Sequence, residues 1–176
     1  MKKEIQFKNL KKLSSSKDFK DYKFVYIYSD FRFLLSKNKK NTKEFMRSFL
    51  DIFLRNKQTI IVPSFSYSKK KFNIKSERSK VGFFSNYLLG LKGITRSEHP
   101  IFSYVAFGVN NKIVKNIGKS AFGKNSVHQK LLFNKCCVLH IGRELIEGNT
   151  VVHHIEQLLK AKYRYEKVFN TKVYNN

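Results

Sequence analysis

Cysteine is almost missing from this 176-residue chain: Cys136 and Cys137 are the only two, and they are adjacent. That excludes a small secreted fold stapled by disulfides. Long apolar runs are missing too. Nothing approaches the ~18 residues a membrane span needs, and the start, Met1-Lys2-Lys3-Glu4, lacks the apolar stretch of a secretory signal. A cytoplasmic protein with no membrane span is the expectation. The histidines, His99, His128, His140, His153 and His154, show no HExxH or CxxC partner spacing, so no metal site is expected. No glycine loop of P-loop or Rossmann type occurs.

Acidic residues are scarce as well: 12 against 36 Lys and Arg, for a net charge of +24. Such an excess suggests a polyanion partner. Yet 29 of the basic residues are Lys and only 7 are Arg, the residue that makes bidentate contacts to bases and phosphates. No helix-turn-helix turn, zinc-finger spacing or aromatic RNA-binding signature accompanies the charge, so specific nucleic-acid binding is not expected. Lys, Asn, Ile and Phe also share A/T-rich codons, and base composition accounts for the excess as readily as selection does. Whatever its origin, the field favours anionic ligands over cationic ones.

What is present is a chain able to bury a core: 41% apolar and 27% charged residues. A domain this long hides roughly 68–70% of its unfolded surface without disulfide or metal. The expected plan is a polar N-terminal segment, residues 1–20, irregular around Ser14-Ser15-Ser16, then a single α/β domain over 21–176. Phe24 to Tyr28, Gln58 to Val62, Phe102 to Phe107 and Cys136 to Ile141 read as strands. Ile113-Val114 reads as part of a hairpin. Asn41 to Phe53, Val81 to Leu91, Ser126 to Leu132 and Thr150 to about Tyr163 read as helices, with Asn41 or Thr42 starting the first. Phe65 to Lys80 reads as a loop. Strands alternating with helices predict a layered α/β sheet, with ligand at the strand ends.

Two polar clusters stand out. In Thr150-Val151-Val152-His153-His154-Ile155-Glu156 the spacing puts His153 and Glu156 about 60° apart around a helix, at roughly 100° per residue, off the stripe made by Val151, Val152, Ile155, Leu158 and Leu159. A neutral His accepts a proton near pH 7, and a neighbouring carboxylate fixes its tautomer. Thr150, at the helix start, offers a hydroxyl and N–H groups to a developing oxyanion. Lys160 on the same face favours a plain solvated surface instead. The second cluster is Arg96-Ser97-Glu98-His99-Pro100, an extended loop before a strand. Cys136 and Cys137, inside a core strand, read as small hydrophobes.

The order of segments adds more. Tyr28-Ser29-Asp30 is followed by Ile60-Ile61-Val62-Pro63-Ser64-Phe65-Ser66 and by Gly93-Ile94-Thr95-Arg96-Ser97-Glu98-His99-Pro100. Ser103 to Gly108, Gly123-Lys124-Asn125-Ser126 and Val138-Leu139-His140-Ile141-Gly142 come next. Gly148-Asn149-Thr150, His153, Glu156 and Tyr163-Arg164 close the series. Over roughly Asp21 to Val173 this resembles the aminoglycoside 3-N-acetyltransferase family. The resemblance implies a layered sandwich with a central mixed sheet flanked by helices. It further implies acetyl transfer from acetyl-CoA, as co-substrate, to a small-molecule amine of an aminoglycoside or other amino sugar.

In that reading His153 is the general base, Glu156 orients it, and Thr150 lies near the oxyanion. Ser29, Arg96, Ser97 and Ser103 are the expected CoA contacts. Two departures accompany the resemblance. Phe31 to Asn41 replaces the family's glycine-rich turn at the entry to the CoA cleft. The family's chains also usually continue well past a pair like Tyr163-Arg164, so a C-terminally shortened member is expected, with a homodimer open to it. The charge argues for a neutral or anionic amino sugar as acceptor. The competing readings are a non-catalytic family member binding CoA or an anionic surface, and a basic nucleic-acid-binding module.

Overall fold

The computed structural model describes residues 2–32, 42–145 and 147–175. The departure at Phe31 to Asn41 and the start signal at Asn41 therefore lie largely outside the described residues. The frame is a five-stranded mixed sheet flanked by helices. Strand β1 (Phe24–Ser29) pairs in parallel with β2 (Thr59–Pro63) on one side and with β6 (Cys136–Ile141) on the other. Strand β5 (Tyr104–Phe107) pairs antiparallel with β2, and β4 (Thr95–Arg96) antiparallel with β5, giving the order β4-β5-β2-β1-β6.

Successive side chains of a strand point to opposite faces, and both faces of this sheet are covered. Val25, Ile27, Ile60, Val62 and Val105 meet Met46, Phe49, Leu50 and Phe53 of α3 (Thr42–Leu54) and Phe84 and Leu88 of α4 (Phe83–Leu89). Phe24, Tyr26, Tyr28, Ile61, Tyr104 and Ala106 meet Val127 and Leu131 of α5 (Val127–Leu132) and Val114 of a 3-10 turn (Asn111–Val114). Double coverage explains why β1 and β2 read as continuous apolar runs. Gly142 (φ +68°) ends β6 at the strand-end side; a Cβ there would lie 2.5 Å from the Asp30 carbonyl oxygen, so the chain crosses there only as glycine.

Several expectations are corrected. The N-terminal segment is helical, α1 (Lys2–Ser15) and α2 (Lys17–Lys20). Ser16 caps α2 by accepting the Phe19 N–H at 3.3 Å, and Phe19 is buried against Phe53, a tertiary anchor that a lysine-rich pattern does not display. Ile113-Val114 forms the 3-10 turn instead of a hairpin arm, because Val114 is drawn into the core. Within the expected loop Phe65 to Lys80, β3 (Lys71–Asn73) pairs in parallel with β7 (Lys172–Tyr174). The last helix, α6 (Val151–Leu158), stops early because Lys160 adopts a left-handed φ of 51°.

The face of α6 is the largest correction. Val152, Ile155, Leu158 and Leu159, expected in the core, are 47–75% exposed, whereas His154 is fully buried. The helix docks through the opposite side: Gly123 N–H donates to His154 Nδ1 at 2.9 Å, and the Ser126 hydroxyl lies 3.3 Å from the same nitrogen.

Candidate active site

A cleft of about 540 Å³ opens at the carboxyl ends of β1 and β2, where parallel α/β sheets usually take ligands. Ile27, Tyr28 and Ser29 of β1 and Val62 and Pro63 of β2 form its floor. The segment after β6 and the start of α6 supply Arg143, Asn149, Thr150 and His153. Phe65, Val81 and Phe84 make the apolar wall. Among the described lining residues Arg143 is the only formally charged one.

His153 stands at this cleft with its side chain 47% exposed, its ring edge-on to Phe122 at 5.6 Å. One helical turn on, Glu156 Oε2 lies 3.1 Å from His153 Nδ1. The Arg164 Nη1, which only donates, lies 2.9 Å from the same Nδ1, so this ring nitrogen meets both an acceptor and a donor. The Tyr163 hydroxyl donates to Glu156 Oε1 at 2.6 Å, and Arg164 donates to Oε2. The Tyr163 hydrogen bond, then those from His153 and Arg164, hold the Glu156 carboxyl down at about 2, so it stays ionised throughout the neutral range.

Thr150 sits just beneath. Its Oγ1 is 2.8 Å from the Tyr28 hydroxyl, 3.2 Å from that of Tyr26 and 3.1 Å from His128 Nε2, and its N–H donates to the Tyr28 oxygen at 2.9 Å. The Tyr104 hydroxyl is 2.9 Å from the same His128 nitrogen. Thr150 is thus the knot of a buried polar network, and the Tyr28 hydroxyl carries that network to the cleft floor. Burial raises Tyr28 above the ordinary phenol value, against the pull of Thr150 and Tyr26.

Burial, aided by His154 and His153, drives His128 down to about 3, and burial drives His99 to about 4. His99 Nδ1 accepts the N–H groups of Ile101 and Phe102, which requires a neutral ring. Unfolded, each ring takes up a proton near 6.5. The unfolded chain therefore binds more protons, and the stability these rings contribute is whole above that value and lost as the pH falls toward 4 and then 3. Urea midpoints should be flat from about pH 8 to 6.5 and decline below, with His128→Gln shallower at the acid end. A midpoint constant down to about pH 4 would contradict buried neutral imidazoles.

Of the expected CoA contacts, Ser29 lines the cleft and the other three do not. Arg96, Ser97 and Ser103 are 0–2% exposed. Arg96 donates to the carbonyls of Ser64 (2.8 Å), Ile74 (3.3 Å) and Glu77 and to the Ser103 hydroxyl (3.2 Å). Ser97 Oγ accepts the Tyr104 N–H at 2.8 Å, and Ser103 Oγ donates to the Ser64 carbonyl at 2.7 Å. These groups brace the loop behind the cleft, with their hydrogen-bonding capacity turned inward. Burial pushes the Cys136 thiol up to about 12, which leaves it protonated and inert as a nucleophile.

Tyr28, Arg143, Tyr163 and Arg164 join the site without having been picked out for it. Tyr28 had a legible signal: Tyr26 and Tyr28 are two apart on one strand and so share a face. Arg143 had none beyond its place after a strand. Among the described residues no group of three His, Cys, Asp or Glu side chains could hold a metal ion, and no helix is long and apolar enough to cross a membrane.

Comparison with known proteins bears on the fold. No curated protein matches the sequence. Solved structures do: the YokD protein from Bacillus subtilis (TM-score 0.68, 18% identity, 85% of this chain and 68% of that one) and the aminoglycoside acetyltransferase AAC(3)-IVa apoenzyme (0.66, 17%, 86% and 61%). A third is AAC-IIIb solved as a binary complex with CoASH (0.67, 16%, 85% and 64%). The chain spans about two thirds of the length of these structures, and at such identities the likeness is one of fold. The family model for aminoglycoside 3-N-acetyltransferase matches residues 39–176, which takes in β2, β5 and β6 and the whole His153–Glu156–Arg164 cluster, and the chain belongs to that family.

Proposed function

We propose that this chain is a cytoplasmic acetyl-CoA-dependent N-acetyltransferase acting on an amine of an aminoglycoside or other amino sugar, with His153 as general base. The observation that carries the reading is the His153–Glu156 pair at the mouth of a cleft of mixed lining. With its hydrogen on Nδ1, toward Glu156, the imidazole leaves Nε2 free to accept a proton from an attacking amine. As the amine nitrogen bonds to the thioester carbon, Nε2 takes its proton. The tetrahedral oxyanion then collapses, the carbon–sulfur bond breaks, and the proton passes to the departing thiolate to give CoA. Thr150 and the Tyr28 hydroxyl it holds lie on the side where that oxyanion would form. Ser29 and Arg143 are the lining groups suited to the polar parts of acetyl-CoA. One neighbour in fold, AAC-IIIb, was solved with CoASH.

The acceptor is read from charge. No carboxylate lines the cleft among the described residues, and Glu156 is already committed to Tyr163, Arg164 and His153. With a net charge of +24, long-range attraction favours an anionic or neutral amino sugar over a polycation. Thiol release from acetyl-CoA, measured against an amine panel, tests both points. Nucleotide-linked amino sugars should exceed kanamycin-type polycations by about 10-fold or more in kcat/KM at low salt, with the gap narrowing as salt rises. Rapid acetylation of kanamycin-type amines alone overturns the acceptor reading, and no release with any amine overturns the transferase reading.

A further inference from the structure

The Glu156 carboxylate does not reach His153 unaided. Helix α6 ends in a turn in which the Ala161 N–H donates to the Glu156 carbonyl at 3.0 Å and the Lys160 N–H to the Gln157 carbonyl at 3.2 Å, with Lys160 at φ 51°. That pattern is the left-handed helix stop. It folds the chain back so that Tyr163 and Arg164 return to the helix side they have just left. There the Tyr163 hydroxyl takes one Glu156 oxygen and Arg164 the other. Arg164 Nη1 also lies 2.9 Å from His153 Nδ1, within hydrogen-bond distance, so the guanidinium touches the carboxylate and the ring together. Tyr163 is otherwise 74% exposed, so its hydroxyl contact is not a by-product of burial.

We propose that Tyr163 and Arg164 are positioning residues that clamp the Glu156 carboxylate against His153 Nδ1 and thereby hold the imidazole in one orientation and one tautomer. A carboxylate held by two further donors cannot swing out to water, and the ring nitrogen facing it has a fixed acceptor. The catalytic consequence rests on the transferase reading above. The clamp itself does not.

Two readouts separate these. The first needs no turnover: ring ¹⁵N shifts of His153 at neutral pH should report a single tautomer in the unmodified chain and a mixture in Arg164→Ala, with Arg164→Lys between them. The second is kinetic: Arg164→Ala should lower kcat by ~10–100-fold and Tyr163→Phe by less, with KM for acetyl-CoA within about 2-fold and Arg164→Lys recovering part of the loss. Lys160→Gly, which keeps the left-handed turn, should leave both readouts as they are. Unchanged ring shifts in Arg164→Ala overturn the clamp, as does full kcat in that variant of an active chain. Shifted rings in a chain that transfers no acetyl group sustain the clamp and count against the transferase reading alone.

Discussion

Replacing Arg96 with Met should cost the protein about 3–5 kcal/mol of stability, the combined effect of several buried acceptors left bare. The guanidinium is 2% exposed and lies 4.9 Å above the Phe72 ring. Backbone carbonyls and a serine hydroxyl solvate it in place of water. Burial brings it down to about 10, with Glu77 pulling the other way, so it remains charged at neutral pH. Its donors tie the end of β2, the loop at Ile74 to Glu77 and the start of β5 to one point. Methionine fills much of the volume and satisfies none of those acceptors, and each buried carbonyl left bare costs about 1–3 kcal/mol. Lysine keeps the charge but has three donors on a single nitrogen, so Arg96→Lys should recover only part of the loss. Urea midpoints read this directly, and wild-type stability in Arg96→Met would contradict the bracing role.

His153→Ala should reduce acetyl transfer by ~10²–10⁴-fold, the span that general-base groups contribute. The imidazole is removed from a half-exposed position on a short helix, so the fold should not feel it as it would feel a core deletion. A loss in kcat and kcat/KM together, with CoA affinity within about 2-fold, is the signature of a group needed only as the amine attacks. His153→Gln supplies a hydrogen-bonding group of similar reach without basicity and should be nearly as slow. Glu156 stays ionised down to about 2, so mild acid does not release the orienting carboxylate.

Much of this fold could be read from its residues. β1, β2 and β6 announce themselves as runs of β-branched and aromatic side chains, and the three-residue step from His153 to Glu156 places them together on any helix. Other features depended on partners far away in sequence. Strands β4, β3 and β7, two or three residues each, exist only through their neighbours. Helix α1 carries too many lysines to display a stripe, and its C-terminal end is held by the Asn56 side chain donating to the Ser14 carbonyl at 2.9 Å. The apolar pattern of α6 pointed largely the wrong way because only Val151 of that stripe packs on the core, and the rest of the docking face is polar, made by Thr150 and His154. Arg96 looked like a ligand contact because an arginine beside serines in a loop usually faces solvent; the carbonyls that bury it come from segments up to 32 residues away. Tyr163-Arg164 stood among the matching segments, but its return to Glu156 was not legible, since a left-handed helix stop is announced by glycine far more often than by lysine.

The most direct measurement of the central claim is acetyl transfer by the unmodified chain and by His153→Ala, followed by mass analysis of the acceptor, with CoA binding titrated on the same two samples. The account predicts an acetylated amine formed one for one with free thiol, at least ~100-fold less of it per unit time from the variant, and matching CoA affinities. Equal transfer rates in the two proteins, or a variant slow only because it no longer binds CoA, would contradict it.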